Sequence, residues 1–176
     1  MVATSCHGDL DIMQDNRLSA SNMWQDATDV TQSTYGIYER MRSCFVNTTC
    51  NVFYWGEVRV GTYMWGSSIV NLAHDNDMIG VESSTMNGSN SSTNWSALYT
   101  TIDQANAVLK YAPTVQMSDK ERGFAIGQAS FARAYCYFWA ARLWGDVPLN
   151  LVPIESVSQP ECYPVRAPKA EVYAQI

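Results

Sequence analysis

The sequence has no apolar run approaching the ~20 residues that a membrane-spanning helix requires, so any membrane attachment has to be an anchor rather than a span. It is short of cations: eleven Lys and Arg stand against seventeen Asp and Glu, a net charge of −6, with no basic cluster anywhere. The electrostatic term that drives nucleic-acid binding is therefore missing, and nucleic acid is set aside as a partner. Its five cysteines, at 6, 44, 50, 136 and 162, include no CxxC pair, and only His7 and His74 could join them as nitrogen ligands. That excludes the spacing of a structural zinc site, and no metal is expected. Also absent are a phosphate loop, a Ser-His-Asp context and a catalytic Cys/His signature. Two carboxylates such as Glu57 with Asp75 or Asp77 could in principle serve glycoside hydrolysis, but one sequence carries no separation between them, and the chain is not expected to be an enzyme.

What remains is ample material for a core: 176 residues, 47% apolar and 12% aromatic. Apolar or small residues at Val30, Thr34, Ile37, Tyr38, Met41 and Phe45 repeat as one helix face and predict a helix over 28–46, with Gly36 suggesting a close helix crossing. From 47 to 94 the periodicity disappears and Asn, Ser, Thr and Gly accumulate, which predicts a long irregular surface loop. A second stripe, Trp95, Leu98, Tyr99, Ile102, Ala105 and Leu109, predicts a helix over 95–111, stopped by Pro113. Ser118 and Glu121 form a capping box at the head of a helix of about 25 residues, which Gly145 and Pro148 end. On it Phe131, Tyr135, Phe138 and Trp139 share a face and are expected to be core, with Ala125, Ala129, Ala132 and Ala140 admitting a neighbour. A Pro-containing connection over 150–166 then leads to a last helix starting at Ala167-Pro168.

Cys6 follows Ala3-Thr4-Ser5, a small-residue approach like that of a lipoprotein processing site, and the odd cysteine count leaves one thiol over. Cys44 and Cys50 could close a small disulfide loop in an exported protein, whereas Cys136 sits in a helical pattern as a buried small hydrophobe. The run His74-Asp75-Asn76-Asp77 before Gly80 invites a calcium reading. It fails the EF-hand pattern, because Ile79 and Met86 stand at the fifth and twelfth positions, where oxygen ligands are required. A calcium site of another kind stays open, a solvated loop is the default, and no cofactor is assigned. Asn47, Asn87, Asn90 and Asn94 begin N-x-Ser/Thr sequons that the local composition alone explains.

Several stretches, in order, carry a resemblance. These are LDIMQDNRLSASNMWQDATDV after the near-terminal cysteine, GEVR at 56–59, NWSALYTTIDQANAVL at 94–109, the Glu121-to-Arg133 helix followed by Tyr-x-Tyr-Phe and Trp-Gly-Asp-Val-Pro-Leu, and RAPKAEVYAQI at 166–176. Together they resemble the SusD/RagB family over nearly the whole chain. The resemblance implies an all-α fold of tetratricopeptide-like helix pairs, here with a long irregular insertion over about 47–94 and looking like the N-terminal third of such a protein. It implies a lipoprotein N-terminus and tether over 1–18, lipidated at Cys6, and the helical domain over 19–176. It further implies a protein held at the cell surface on the outer membrane, which captures glycan and hands it to a SusC-like TonB-dependent transporter. A peptide-binding RagB-type member, or a helical scaffold that binds only its transporter, are the alternatives. Where the family often has Asp soon after Gly-Glu-x-Arg, this chain has Val60 and Gly61.

Sugars are held by flat aromatic faces and by planar amide or guanidinium groups. By similarity to the family, whose ligand aromatics lie partly in the loop after Gly-Glu-x-Arg, Arg59, Tyr63, Trp65 and Asn71 are the candidate ligand-binding residues. Tyr63 and Trp65, two apart, would share a face of an extended backbone. Trp55 and Trp95 are assigned to packing, and Arg133 to a structural ion pair.

Overall fold

A computed structural model describes residues 23–46, 51–66 and 72–176, the side chains of 72–75 excepted. The expected anchor Cys6, the tether over 1–18, Cys50, Asn47 and Asn71 lie outside the described residues. The chain is helical: α1 (Ala27–Phe45), a π-helical turn (Tyr54–Val58), α2 (Leu72–Glu82), α3 (Ser96–Tyr111), α4 (Asp119–Trp144) and α5 (Lys169–Gln175). The strands β1 (Val147–Pro148) and β2 (Arg166–Ala167) pair antiparallel, Val147 with Ala167 and Pro148 with Arg166, and close off the connection between α4 and α5.

The helices α1 and α4 each begin at a residue whose side chain satisfies free amides. The Asp26 carboxylate accepts from the Thr28 and Asp29 amides at 2.7 and 3.1 Å, starting α1. The Ser118 hydroxyl accepts from the Glu121 amide at 3.3 Å while Glu121 reaches back to the Ser118 amide at 3.2 Å, the capping box at the head of α4. Gly145, with φ at +74°, ends that helix in a conformation open to glycine at no steric cost. The hydrogen bond from the Ser118 hydroxyl, and then that from its amide, holds the Glu121 carboxyl below its ordinary 4.5. The amides of Asp29 and then Thr28 lower Asp26 in the same way. A carboxyl depressed by folding stabilises above its unfolded value and loses that contribution as pH falls through its folded one. The melting temperature is accordingly expected to fall as the solution is acidified below about pH 4.5. Ser118→Ala should lower it by about 2–4 °C at neutral pH and shrink the acid-induced drop, readable by circular dichroism.

The seven-residue connection between α3 and α4 makes them antiparallel neighbours, and α1 lies against both. Ala125, Ala129, Ala132, Cys136 and Ala140 form the face of α4 that meets them, all 4% exposed or less. Here the structure corrects the sequence reading. The aromatic stripe is not the core face: Phe131 is 57% exposed and Phe124 65%, while Tyr135, Phe138 and Trp139 are half-buried on its flank. Helices approach most closely where side chains are smallest, so the alanines take the contact and the rings close its margin. Tyr38, expected on the inner face of α1, is likewise exposed. At Gly36 an added Cβ would stand 3.7 Å from the Gln104 amide nitrogen, an ordinary contact, so this crossing does not demand glycine.

The second correction concerns 47–94. Instead of a plain loop, this region contains the π-helical turn, α2 and a 3-10 turn at Ser91–Thr93, with a small core of its own in Val58, Met78 and Val81. The would-be solvated loop around Asp77 is part of helix α2. Period was a poor guide here because α2 has little amphipathic contrast: Met78 and Val81 are buried while the apolar Ile79 between them is 54% exposed.

Arg133 is structural, but among the described residues it has no ion-pair partner. Its guanidinium donates to the Asn106 side-chain oxygen at 2.9 Å, while the Asn106 amide donates to the carbonyls of Asn150 and Val152 at 3.0 and 3.2 Å. Tyr137 adds to this anchorage, its hydroxyl donating to the Asn150 carbonyl and accepting from the Asn150 amide at 2.8 and 2.7 Å. Burial pushes the phenol up to about 12. Cys136 is fully buried, as its place in the helical pattern suggested.

Candidate functional site: an aromatic and arginine-lined cleft

Arg59 lies one residue beyond the π-helical turn, a geometry in which the ladder takes on an extra residue and the chain re-aims its side chains. The turn is completed by Gly61, whose φ of +77° favours glycine at this position. Inside it, Trp55 is only 8% exposed, and its indole N–H donates to the Ser92 carbonyl at 3.0 Å. Its ring meets Trp139 at 5.8 Å and Trp144 at 5.7 Å between centroids, and Trp144 meets Trp95 at 5.7 Å. Above Trp95 the Arg166 guanidinium stands 4.9 Å from the ring centroid and donates to the Asp146 carbonyl at 2.9 Å.

These groups converge on one open cleft of about 510 Å³, whose walls include Trp55, Trp95, Trp144, Arg59, Arg166, Asn87 and Thr93. Its size is that of a small-ligand site, about 300–1,000 Å³. The wall formed by residues 86–95 is held by α2. The Asp77 carboxylate accepts from the Ser91 amide at 3.0 Å, and the Asn90 side chain donates to the Asp77 carbonyl at 2.8 Å. Asn90 also caps the 3-10 turn by accepting from the Ser92 amide at 2.9 Å. An added Cβ at Gly80 would stand 3.0 Å from the Asn90 amide nitrogen, so the two segments meet where α2 has no side chain. Asp77 is thus occupied in positioning a wall, and Glu57 is exposed and does not line the cleft.

Of the candidates drawn from sequence, Arg59 lines this cleft. Tyr63, 55% exposed, rests against Phe53 at 4.9 Å, and Trp65, half-buried, stands edge-on to Tyr54 at 5.8 Å beside the Val58, Met78 and Val81 core. The two rings thus rest on different neighbours, Phe53 and Tyr54, and neither lines this cleft. Asn71 falls outside the described residues. Trp55 packs as expected and Trp95 is partly covered, yet both also form cleft wall. Sequence reasoning missed Asn87, Trp144 and Arg166. A tryptophan at the very end of a helix and an arginine at a strand residue facing back on it are visible only as isolated letters until β1 and β2 pair. Among the described residues no group of three or more His, Cys, Asp and Glu side chains could hold a metal ion. Nor is any described helix long and apolar enough to cross a membrane.

Residues 10–176 match the SusD-like family described as starch-binding and associating with the outer membrane. A SusD-like protein, P38, of Formosa agariphila is 27% identical over 150 residues, covering 84% of this chain and 28% of its own length. A SusD superfamily protein of Bacteroides thetaiotaomicron, solved by crystallography, superposes with a TM-score of 0.73 at 21% identity, covering 87% of this chain and 33% of that one. A laminarin-binding SusD-like protein superposes with a TM-score of 0.68 at 22% identity, over 86% of this chain and 32% of that one. The chain therefore spans about a third of the length of the relatives it matches. With the match running almost end to end and the helical architecture shared, the chain belongs to the SusD-like family.

Proposed function

We propose that this protein is a cell-surface glycan-binding lipoprotein, anchored through Cys6 to the outer membrane, which captures oligosaccharide and passes it to a SusC-like TonB-dependent transporter without breaking bonds. The observation that carries the reading is the cleft itself. Three tryptophans supply flat apolar faces, and Arg59, Arg166 and Asn87 supply planar hydrogen-bonding groups around one space. That combination fits a pyranose, whose C–H faces stack on rings while its equatorial hydroxyls meet paired donors. The family's description as starch-binding and outer-membrane-associated, and the laminarin binding of a structural neighbour, agree with this class of ligand. Arg59 is the first of the proposed ligand residues. Tyr63, Trp65 and Asn71 form the second part of the proposal, as an outlying surface beyond the turn.

Affinity electrophoresis of the whole protein through a panel of polysaccharides tests it, with Trp95→Ala and Trp65→Ala variants whose folding is checked by circular dichroism. Retardation by a glycan that Trp95→Ala loses places capture in the cleft, whereas loss in Trp65→Ala alone moves it to the outlying surface. A folded protein that no glycan retards would sink the reading in favour of a peptide ligand or of a transporter-only scaffold.

A further inference from the structure

We infer that the cleft selects a glycan carrying acidic groups, carboxylate or sulfate, in preference to a neutral one. The inference rests on the glycan-capture reading and narrows its ligand. Its basis is an imbalance of hydrogen-bonding groups. Arg59 and Arg166 each present a guanidinium with up to five donors and no acceptor, and the described residues that line the cleft include no Asp or Glu. A neutral sugar's hydroxyls donate as well as accept, and a site made for them offers acceptors too. Among the described residues this cleft offers two cationic forks and no anionic acceptor, its remaining polar side chains being the neutral Asn87, Ser92 and Thr93.

The surroundings sharpen the contrast. The chain carries a net charge of −6, yet two positive groups meet in this space. Three cations outside the cleft are paired, Arg42 with Glu39, Arg122 with Asp119 and Lys110 with Glu155; the feature of the cleft is that two arginines share one space with no carboxylate on its described walls. Among the described residues neither Arg59 nor Arg166 has a carboxylate partner within ion-pair distance. The nearest acidic candidate beside Arg166, Asp146, offers that arginine its backbone carbonyl and uses its carboxylate to accept from the Lys169 amide at 2.8 Å. Arg166 is also oriented by the Trp95 ring, so its fork is partly ordered before a ligand arrives. A guanidinium binds carboxylate or sulfate through two parallel hydrogen bonds, and low-dielectric tryptophan walls strengthen such a pair. An acidic sugar stacked on the rings would thus supply the two charges that the protein leaves unmatched.

The test is calorimetric titration of the whole protein with three probes at low salt: an oligogalacturonate, a sulfated galactan oligosaccharide and a neutral laminarin oligosaccharide. One or both acidic probes are expected to bind at least tenfold more tightly than the neutral one and to weaken steeply as salt is raised. Arg59→Gln should weaken the acidic probe by on the order of ten- to a hundredfold, the worth of a charge-assisted hydrogen bond, while leaving the neutral probe little changed. Arg166→Lys keeps the charge but loses the fork and should weaken binding less. If Arg166 variants fail to fold, the exposed Arg59 alone decides. Which acidic probe wins tells carboxylate from sulfate recognition. Equal affinity for acidic and neutral probes, or acidic binding that Arg59→Gln leaves intact, overturns the inference and leaves glycan capture standing. No binding to any probe overturns both.

Discussion

Trp55→Ala is expected to destabilise the protein by about 3–5 kcal/mol, the usual cost of deleting a large buried aromatic side chain. The indole is 8% exposed, packs on Phe45, Trp139 and Trp144, and carries the hydrogen bond to the Ser92 carbonyl that joins the π-helical turn to the 86–95 segment. Removing it empties the middle of the aromatic cluster of Phe45, Trp139 and Trp144 and detaches one wall of the cleft from another. Trp55→Phe separates the two effects. It keeps most of the burial and leaves a carbonyl unpaired, at a cost of about 1–3 kcal/mol. Denaturant unfolding of the three proteins measures this order, and a Trp55→Ala protein as stable as the parent would mean that the ring is cleft surface and not structure.

Asn106→Ala is expected to have the next largest effect, about 3 kcal/mol, although it deletes only a small side chain. Asn106 is 1% exposed and joins three partners: the Arg133 guanidinium and the carbonyls of Asn150 and Val152. Alanine leaves a half-buried cation and two carbonyls without this partner, and the desolvation penalty of such groups exceeds the value of the bonds themselves. Asn106→Asp is the informative companion. It offers Arg133 a stronger acceptor but has no amide to give the carbonyls, so it should recover part of the loss and no more. Proteolysis within 150–160 should quicken in both variants, because this side chain ties that connection to α3. Unchanged cleavage there would assign the anchorage to the other ties of this connection, Tyr137 to Asn150, Asp103 to the Ile154 amide and Lys110 to Glu155.

How much of this was legible beforehand can be judged from particular residues. The capping box at Ser118 and Glu121 named its helix outright, because its geometry is local: two side chains satisfy two amides within one turn. The resemblance, carried by short motifs in order, led to the fold and the family. The core face of α4 was misread, since a helix with apolar residues on most of its circumference has no single period to follow, and the choice between alanines and rings falls to the neighbouring helices. Of the cleft, Arg59 was nominated and Trp55 and Trp95 were noted as packing, but their meeting with Trp144 and Arg166 was not foreseeable. Those residues lie 85 and 107 positions after Arg59 and are joined only by the folding of α3 against α4 and the pairing of β1 with β2.

The sequence by itself determined the long helices α1, α3 and α4, the capping box at Ser118 and Glu121, the stops at Gly145 and Pro148, and the acidic balance that sets nucleic acid aside, because each follows from groups a few residues apart or from simple counts. Only the tertiary structure decided which face of α4 is buried, that 47–94 holds a helix with its own small core, and that two arginines share a cleft with three tryptophans. Those outcomes depend on distances between segments far apart in the chain, and such distances are set by how closely side chains allow helices to approach.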